Sequence, residues 1–155
     1  MWYYKNQPIS SIEQLPDYQN LMGFVYLITN LETGAVYIGK KNFYSTRKTK
    51  LAKRDLVIKK DGSVNKGRKN YKHVTKESDW MKYWSSSTEL QDDVQSLGTG
   101  SFKREILELS CSTKYLGYLE LKYQFEHDVL NKSSYNGNIA GSYYRKDIEP
   151  CKLAA

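Results

Sequence analysis

The sequence is poor in cysteine and contains no long apolar run. Its two cysteines, Cys111 and Cys151, form no CxxC pair and no His/Cys cluster, so nothing indicates a zinc site or a disulfide-rich secreted scaffold. We interpret both cysteines as free thiols. No apolar stretch approaches the roughly 18 residues of a transmembrane helix, and residues 1–7 lack the apolar core of a signal peptide. We therefore expect a soluble, cytoplasmic protein.

The positive charge of the chain is concentrated in one segment. The 155 residues suffice for one compact domain, and the formal charge of +7 favours an anionic partner without specifying a fold. Residues 40–82 contain 15 Lys and Arg against 4 Asp and Glu, so this segment is net +11 and the remainder of the chain is net −4. We expect this segment to contact the anionic partner.

Strand and helix patterns alternate along the chain. Residues 23–29 and 35–39 are rich in β-branched and aromatic side chains and flank a turn-forming loop of about five residues, which predicts an antiparallel hairpin. Residues 102–107 are predicted as a third strand, and helices are predicted to start near Ser10, near Ser86 and at Ser112. The predicted fold class is α+β, with a small three-stranded antiparallel sheet flanked by helices.

We divide the chain into three segments. Residues 1–22 are an N-terminal lead-in, residues 23–147 are one folded domain with a basic insertion at about 48–82, and residues 148–155 are a C-terminal tail. Residues 133–147 are rich in Asn, Gly, Ser and Tyr and are predicted to form a loop. Within the insertion, Leu56-Val57-Ile58 and the Asp61-Gly62 turn predict a small hairpin.

Four residues have the chemistry that phosphodiester cleavage requires, namely activation of a water and stabilisation of the charge on phosphorus. Tyr26 and Tyr37 lie on neighbouring strands, and Arg47 follows the hairpin. Glu120 lies at the rim of the apolar face of the last long helix, where a single carboxylate can hold Mg²⁺ together with several waters. Each residue taken alone is more commonly packing or a solvated charge, so the four do not establish a function by themselves.

Their order along the chain resembles the GIY-YIG nuclease superfamily, and phage homing-type members most of all. Val25-Tyr26-Leu27 and Tyr37-Ile38-Gly39 match its two tyrosine motifs with a spacing of 11 residues between the tyrosines. Arg47 matches the catalytic arginine, expected in the first helix; Glu120 matches the metal-binding glutamate, and Asn138 the terminal asparagine. The first motif keeps only its tyrosine. Leu51 and Ser85 stand where histidines are found in other members, so a role for His73 is left open.

The resemblance implies a divalent-metal-dependent DNA endonuclease that uses Mg²⁺ or Mn²⁺. Glu120 would bind the metal and Arg47 would stabilise the charged transition state. Tyr26 would orient or deprotonate the attacking water, with its pKa lowered from about 10 by Arg47, Lys40 and the metal. Tyr37 would support the water or the phosphate, and Asn138 would fix the site from the C-terminal side.

The partner that the resemblance implies is double-stranded DNA, bound through the basic segment in a salt-dependent way. Interleaved aromatic residues, among them Tyr44 and Tyr71, are expected to contact sugars or unstacked bases. The predicted contacts are cationic residues of this segment and one histidine: Lys40, Lys41, Lys48, Lys50, Lys53, Arg54, Lys66, Arg68, Lys69, Lys72 and His73. The alternative interpretation is that the segment is a flexible, solvent-exposed loop that only a few side chains attach to the domain.

Two other functions stay open at this stage. A repair, junction-processing or restriction-like nuclease would use the same residues, and a catalytically silent DNA-binding protein would use the same fold. The chain ends within about 15 residues of Asn138-Ile139-Ala140, so we expect site specificity to come from the insertion, the lead-in, a homodimer or a protein partner. A phage-encoded protein would act in the host cytoplasm.

Overall fold

The computed structural model of the chain describes residues 1–53, 58, 60–63 and 71–148. The chain divides into two units: Met1–Phe43 with Asp79–Ala155, which we call the sheet unit, and Tyr44–Ser78, which we call the ribbon unit. The helices of the described residues are all too short or too polar to cross a membrane. Cys111 is an exposed free thiol, and Cys151 lies outside the described residues.

The sheet unit is built on a five-stranded mixed sheet. Its strands are β1 (Trp2–Tyr4), β2 (Gln7–Ile9), β3 (Gly23–Asn30), β4 (Val36–Asn42) and β7 (Phe102–Ser110); two further strands belong to the ribbon unit. The strand order is β2-β1-β7-β3-β4, with β1 parallel to β7 and the other neighbours antiparallel. The helices are α1 (Thr88–Leu97), α2 (Thr113–Glu126) and α3 (Arg145–Ile148), and β8 (Asn138–Ile139) pairs with β9 (Tyr143–Tyr144). Short 3-10 helices occupy Ile12–Gln14, Tyr18–Asn20, Trp80–Lys82 and Thr99–Ser101.

The α+β class is confirmed, but the prediction of three antiparallel strands is wrong because the sheet has five strands. The three predicted strands are its central and edge members β7, β3 and β4, whereas the N-terminal hairpin β1–β2 adds two more. Each added strand has only three residues, too few to show an alternating pattern, and β1 pairs in parallel with a strand about 100 residues away. Trp2 anchors this hairpin, since its ring is fully buried and its Nε1 donates to Trp80 O at 2.8 Å.

Alternating side chains of β3 build two apolar layers. Phe24, Tyr26 and Ile28 point to one face, where aromatic rings from β1 and the 80–84 segment and aliphatic side chains of α1 pack on them. Val25 points to the opposite face, where α2 is seated through buried leucines. Gly23 allows α2 to approach, because a Cβ there would stand 2.7 Å from a Leu116 methyl group and 2.5 Å from a backbone carbonyl. The sheet is therefore covered on both faces around β3 and β4.

The ribbon unit contains a two-stranded antiparallel hairpin of β5 (Tyr44–Lys50) and β6 (Tyr71–Glu77). Arg47 lies in β5 opposite Val74, so the expectation that this arginine follows in a helix is wrong. Thr46 and Thr49 flank it in a stretch without helix-type apolar spacing, and β-branched residues of this kind favour strands. The hairpin predicted around Leu56-Val57-Ile58 lies largely outside the described residues.

Candidate active site

The two tyrosines of the motifs are neighbours on adjacent strands. Their rings are stacked with centroids 6.0 Å apart, Tyr26 on β3 and Tyr37 on β4. Gly39 lies directly opposite Tyr26 in the sheet, and a Cβ at Gly39 would stand 2.7 Å from the Tyr26 hydroxyl. The glycine of the second motif therefore gives the first tyrosine room to lie across β4. This contact explains in physical terms why a Tyr and a Gly are needed on neighbouring strands.

A pocket of about 500 Å³ opens beside edge strand β4. It brings together Tyr37, Glu120 and Asn138, three of the predicted site residues, whereas Tyr26 is not among its lining residues. The remaining lining comes from the start of α1, from α2 and from the segment before β8: Ser86, Ser87, Thr88, Glu89, Gln124, Tyr135, Asn136, Gly137 and Ala140. Hydroxyls, amides and two carboxylates dominate this wall, so it suits a polar ligand.

Glu120 presents its carboxylate from α2 toward β4. Its Oε2 lies 2.9 Å from Nζ of Lys40, and its side chain is 21% exposed, so the fold holds the group while solvent reaches it. Glu89 and Gln124 line the same pocket, and the buried Oε1 of Gln124 accepts no hydrogen bond within the described residues. These hard oxygen donors fit Mg²⁺ or Mn²⁺. The Lys40 ammonium already places one cation against this carboxylate.

A metal at Glu120 would take most of its ligands from water and substrate. Among the described residues, no three His, Cys, Asp or Glu side chains are grouped so that they could hold a metal ion. Mg²⁺ commonly keeps several waters and uses one or two carboxylates. The donor set of this pocket is consistent with that kind of site.

Tyr26 is buried behind Tyr37 and cannot easily ionise. Its relative exposure is 0%, and its hydroxyl forms no hydrogen bond of good geometry with any residue that the structure describes; the Tyr83 phenol is its neighbour. Burial raises the pKa of Tyr26 far above its usual value, and the nearby phenols of Tyr37 and Tyr83 raise it further. In the protein alone the pKa of Tyr26 therefore shifts upward and not downward as expected, and desolvation of the phenolate is the largest cause.

Lys41 belongs to the Tyr26 side of β4, away from Lys40. Its Nζ lies 3.8 Å from the centre of the Tyr83 ring and 2.6 Å from Asp79 Oδ1. The hydrogen bond from Lys41 holds the pKa of the Asp79 carboxyl below its usual range. The two lysines that follow the second motif therefore point to opposite faces, one to Glu120 and one to the tyrosine cluster.

The segment that precedes α1 brings Ser86 to Tyr37. The Tyr37 hydroxyl and Ser86 Oγ are 3.1 Å apart, and either can donate the hydrogen bond. Ser85 is buried with φ 93°, a left-handed conformation that is rare for serine, and Gln91 Nε2 donates to its carbonyl at 2.7 Å. Ser87 then caps α1 by accepting from the Leu90 amide. The capping serines follow from the sequence pattern, whereas the contact of Ser86 with Tyr37 does not.

A buried arginine holds the backbone just before this pre-α1 segment in place. Arg104 on β7 lies between the rings of Trp2 and Trp84, at 4.6 and 4.2 Å from their centres. Its Nη1 donates to the carbonyls of Met81 and Tyr83. Burial lowers the pKa of Arg104 to about 10, so it remains charged at neutral pH. The cation thus ties β1, β7 and the loop that carries Tyr83 into one rigid wall.

Two asparagines near the C-terminus have different roles. Asn136 is buried, and its amide pairs with the backbone of Ile38: Oδ1 accepts from Ile38 N at 2.9 Å and Nδ2 donates to Ile38 O at 2.8 Å. It therefore occupies the free edge of β4 as a strand would. The predicted Asn138 is exposed, and its Oδ1 accepts from the Gly141 amide at 2.9 Å. Asn136 was not among the predicted residues, because no sequence pattern distinguishes it from Asn138.

The other predicted residues lie in the ribbon unit. Arg47, Lys48, Lys50, Lys72 and His73 are exposed on β5 and β6, and Lys53 is exposed just after β5. Four further predicted DNA contacts lie outside the described residues: Arg54, Lys66, Arg68 and Lys69.

The chain matches one known family along almost its whole length. The family is described as "Putative endonuclease segE, GIY-YIG domain", and the match covers residues 2–148. This range includes both tyrosine motifs, the ribbon unit and the pocket residues from Ser86 to Ala140. No curated protein and no solved structure matches the chain.

Proposed function

The chain belongs to the segE-type GIY-YIG endonuclease domain family, and we propose that it is a divalent-metal-dependent, homing-type endonuclease that hydrolyses phosphodiester bonds in double-stranded DNA. The observation that carries the proposal is the convergence of Tyr37, Glu120 and Asn138 on one polar pocket from three separate elements. Family membership predicts these residue types, and the pocket supplies a place where a phosphate and water can meet them.

We assign metal binding to the carboxylate of Glu120. It would hold Mg²⁺ or Mn²⁺, which when bound supplies positive charge for the phosphate and acidifies a coordinated water. Lys40, now paired with that carboxylate at 2.9 Å, is close enough to neutralise a phosphate oxygen in the same pocket. Glu89 and Gln124 add oxygen donors that can orient water. Asn138 closes the turn after β8 and so fixes the far wall.

The two tyrosines take different roles. Tyr37 is half-buried, lines the pocket and shares a hydrogen bond with Ser86, so its hydroxyl can orient the attacking water or a phosphate oxygen. Tyr26 stays protonated because burial raises its pKa, and its stacked ring holds Tyr37 from behind. Tyr26 therefore acts as a neutral phenol in this proposal, and proton removal from water falls to another group.

Arg47 and the basic residues of the ribbon unit supply the remaining functions. Arg47 would stabilise the charge that develops on the phosphate, because a guanidinium can give two parallel hydrogen bonds. The predicted lysines of this unit would neutralise the flanking phosphates. The net positive charge of residues 40–82 supports a polyanionic substrate.

A supercoiled-plasmid assay tests the proposal. The protein should nick or linearise the plasmid with Mg²⁺ or Mn²⁺, and EDTA should stop the reaction. Glu120→Gln removes the charge of the metal-binding carboxylate with little change in shape, and we expect cleavage to fall on the order of 10³-fold.

The matched control is Glu126→Gln, which alters an exposed carboxylate on the same helix. It should cut at the parent rate. A protein that binds the plasmid without cutting it under any divalent metal would favour a catalytically silent DNA-binding protein. Undiminished cleavage by Glu120→Gln would instead refute the site assignment.

A further inference from the structure

The ribbon unit is strongly basic. Residues 44–78 contain 12 Lys and Arg against 3 Asp and Glu, so the unit is net +9 and the rest of the chain is net −2. Every residue of β6 is exposed, and β5 has one half-buried side chain. A two-stranded hairpin without an apolar face is only marginally stable in water. Contact with another molecule would account for both features.

The strand register gives the ribbon two different faces. One face is occupied by its own side chains: Lys48 Nζ lies 4.6 Å from the centre of the Tyr71 ring, and the hydroxyls of Thr46 and Thr75 are 3.0 Å apart. The cation on this face is thus partly engaged within the ribbon.

The opposite face carries three unengaged cations. Arg47 lies opposite Val74, and Lys72 and Lys76 flank Val74 by two residues on either side, so all four share one face. All are exposed, Val74 to 41%. No ion pair joins Arg47, Lys72 or Lys76 to an acidic side chain within the described ranges.

The spacing of these cations fits a groove of duplex DNA. Lys72 and Lys76 are four residues apart on one strand, which corresponds to roughly 13 Å at about 3.3 Å per residue. The major groove of B-DNA is about 12 Å wide and admits a two-stranded β-ribbon. A ribbon that lies along the groove keeps this face toward the DNA over that length, so both lysine side chains can reach backbone phosphates.

We propose that the β5–β6 ribbon lies in the major groove of duplex DNA with its Arg47–Lys72–Lys76 face toward the DNA and with both lysines on backbone phosphates. Arg47 is then directed at the DNA from the same face. The proposal rests on the proposed function only in taking DNA as the substrate. Of the predicted contacts on the two strands, Lys72 lies on this face and Lys48, Lys50 and His73 lie on the other, and the proposal adds Lys76.

Duplex binding measured in EDTA, where no cleavage occurs, tests which face of the ribbon contacts the DNA. The dissociation constant is recorded by fluorescence anisotropy between 50 and 200 mM salt, and each phosphate contact contributes about 0.9 to the log–log slope. The double variant Lys72→Gln/Lys76→Gln should lower the slope by about 1.8. The matched control Lys48→Gln/Lys50→Gln makes the same charge change on the opposite face and should lower it by less than half as much.

Two small molecules that compete for DNA test whether the ribbon binds in the major groove. Methyl green, a major-groove ligand, should displace the protein, whereas netropsin, a minor-groove ligand, should not. Double-stranded RNA of the same sequence should bind more weakly, since its deep and narrow major groove excludes a ribbon. Equal binding of the two duplexes, or displacement by netropsin alone, would overturn the groove assignment.

The outcomes separate this proposal from the nuclease assignment. Absence of DNA binding in EDTA, or equal slope changes for the two double variants, would refute the ribbon proposal even if the protein cuts DNA. A slope change confined to Lys72→Gln/Lys76→Gln in a protein that never cuts would refute the nuclease assignment alone. Far-UV circular dichroism of both variants should match the parent, because all four substituted side chains are exposed.

Discussion

The sheet unit and the ribbon unit differ in both burial and charge. The sheet unit buries Trp2, Phe24 and Trp80 completely and is net −2, whereas no described residue of the ribbon unit is buried and that unit is net +9. Placement of reacting groups to within a fraction of an ångström needs a packed scaffold. Binding a polyanion needs charge, which a solvated ribbon supplies without a core.

This difference predicts that the two units respond to substitution in different measurements. Changes in the sheet unit should alter the free energy of unfolding or the cleavage rate and leave the salt slope of DNA binding unchanged. Changes in the ribbon unit should alter the salt slope and leave the free energy of unfolding within about 0.5 kcal/mol.

Arg47 is the residue at which this division is expected to fail, because it lies in the ribbon unit yet is predicted to be catalytic. Arg47→Ala should lower the single-turnover cleavage rate about 10²–10³-fold, the usual loss when one charge-stabilising group is removed from a transition state. The salt slope should fall by no more than about 0.9, one phosphate contact. Plasmid cleavage under saturating protein measures the rate, and anisotropy in EDTA measures the slope.

Lys76→Ala is the matched control for Arg47→Ala, because it removes one exposed cation from the same face of the ribbon. It should change the slope by a similar amount with little effect on the rate at saturation. Equal loss of rate in the two variants would mean that Arg47 binds DNA without acting on the reaction. The division between the units would then hold without exception.

Gly39 tests the packing of the sheet unit. Gly39→Ala places a Cβ 2.7 Å from the Tyr26 hydroxyl, and such overpacking should lower the free energy of unfolding in urea by about 1–3 kcal/mol. Gly100→Ala is the control, because a Cβ there meets nothing within 4 Å. Removing the hydroxyl with Tyr26→Phe should reduce the cost of Gly39→Ala. Strictly additive costs would show that the two groups do not touch.

Sequence patterns were sufficient where they are long or where they belong to a motif. The β3–β4 hairpin follows from two runs rich in β-branched and aromatic residues that flank a turn-forming loop, and the motif order led to Tyr37 and Glu120, which line one pocket. Packing at long range was not predictable. The three-residue strand β1 gains its place through Trp2, whose ring is buried against residues of β3, β7 and the 80–84 segment, and no local pattern records that environment.

Residues of one type also differ in the surroundings that the fold gives them. Asn136 and Asn138 are two residues apart, and only the fold shows that Asn136 is buried against Ile38 while Asn138 faces the pocket. Tyr26 and Tyr37 are equivalent in the motif, yet burial makes Tyr26 a weaker acid than an ordinary phenol. Ionisation depends on desolvation, which the sequence does not encode locally.

Ser86 gives the smallest effect and the finest test of the sheet unit. Ser86→Ala removes the hydroxyl 3.1 Å from Tyr37, and one hydrogen bond of this kind is worth about 0.5–1.5 kcal/mol. We therefore expect single-turnover cleavage to fall roughly 2- to 13-fold, with duplex affinity and salt slope unchanged. Ser86→Thr keeps a hydroxyl and should recover most of the rate.

Ser87→Ala, which removes the cap of α1, should cost about 1 kcal/mol of stability and leave the rate at saturation unchanged. A rate loss in Ser87→Ala equal to that in Ser86→Ala would trace the effect to the start of α1, and the contact with Tyr37 would then have no part in catalysis.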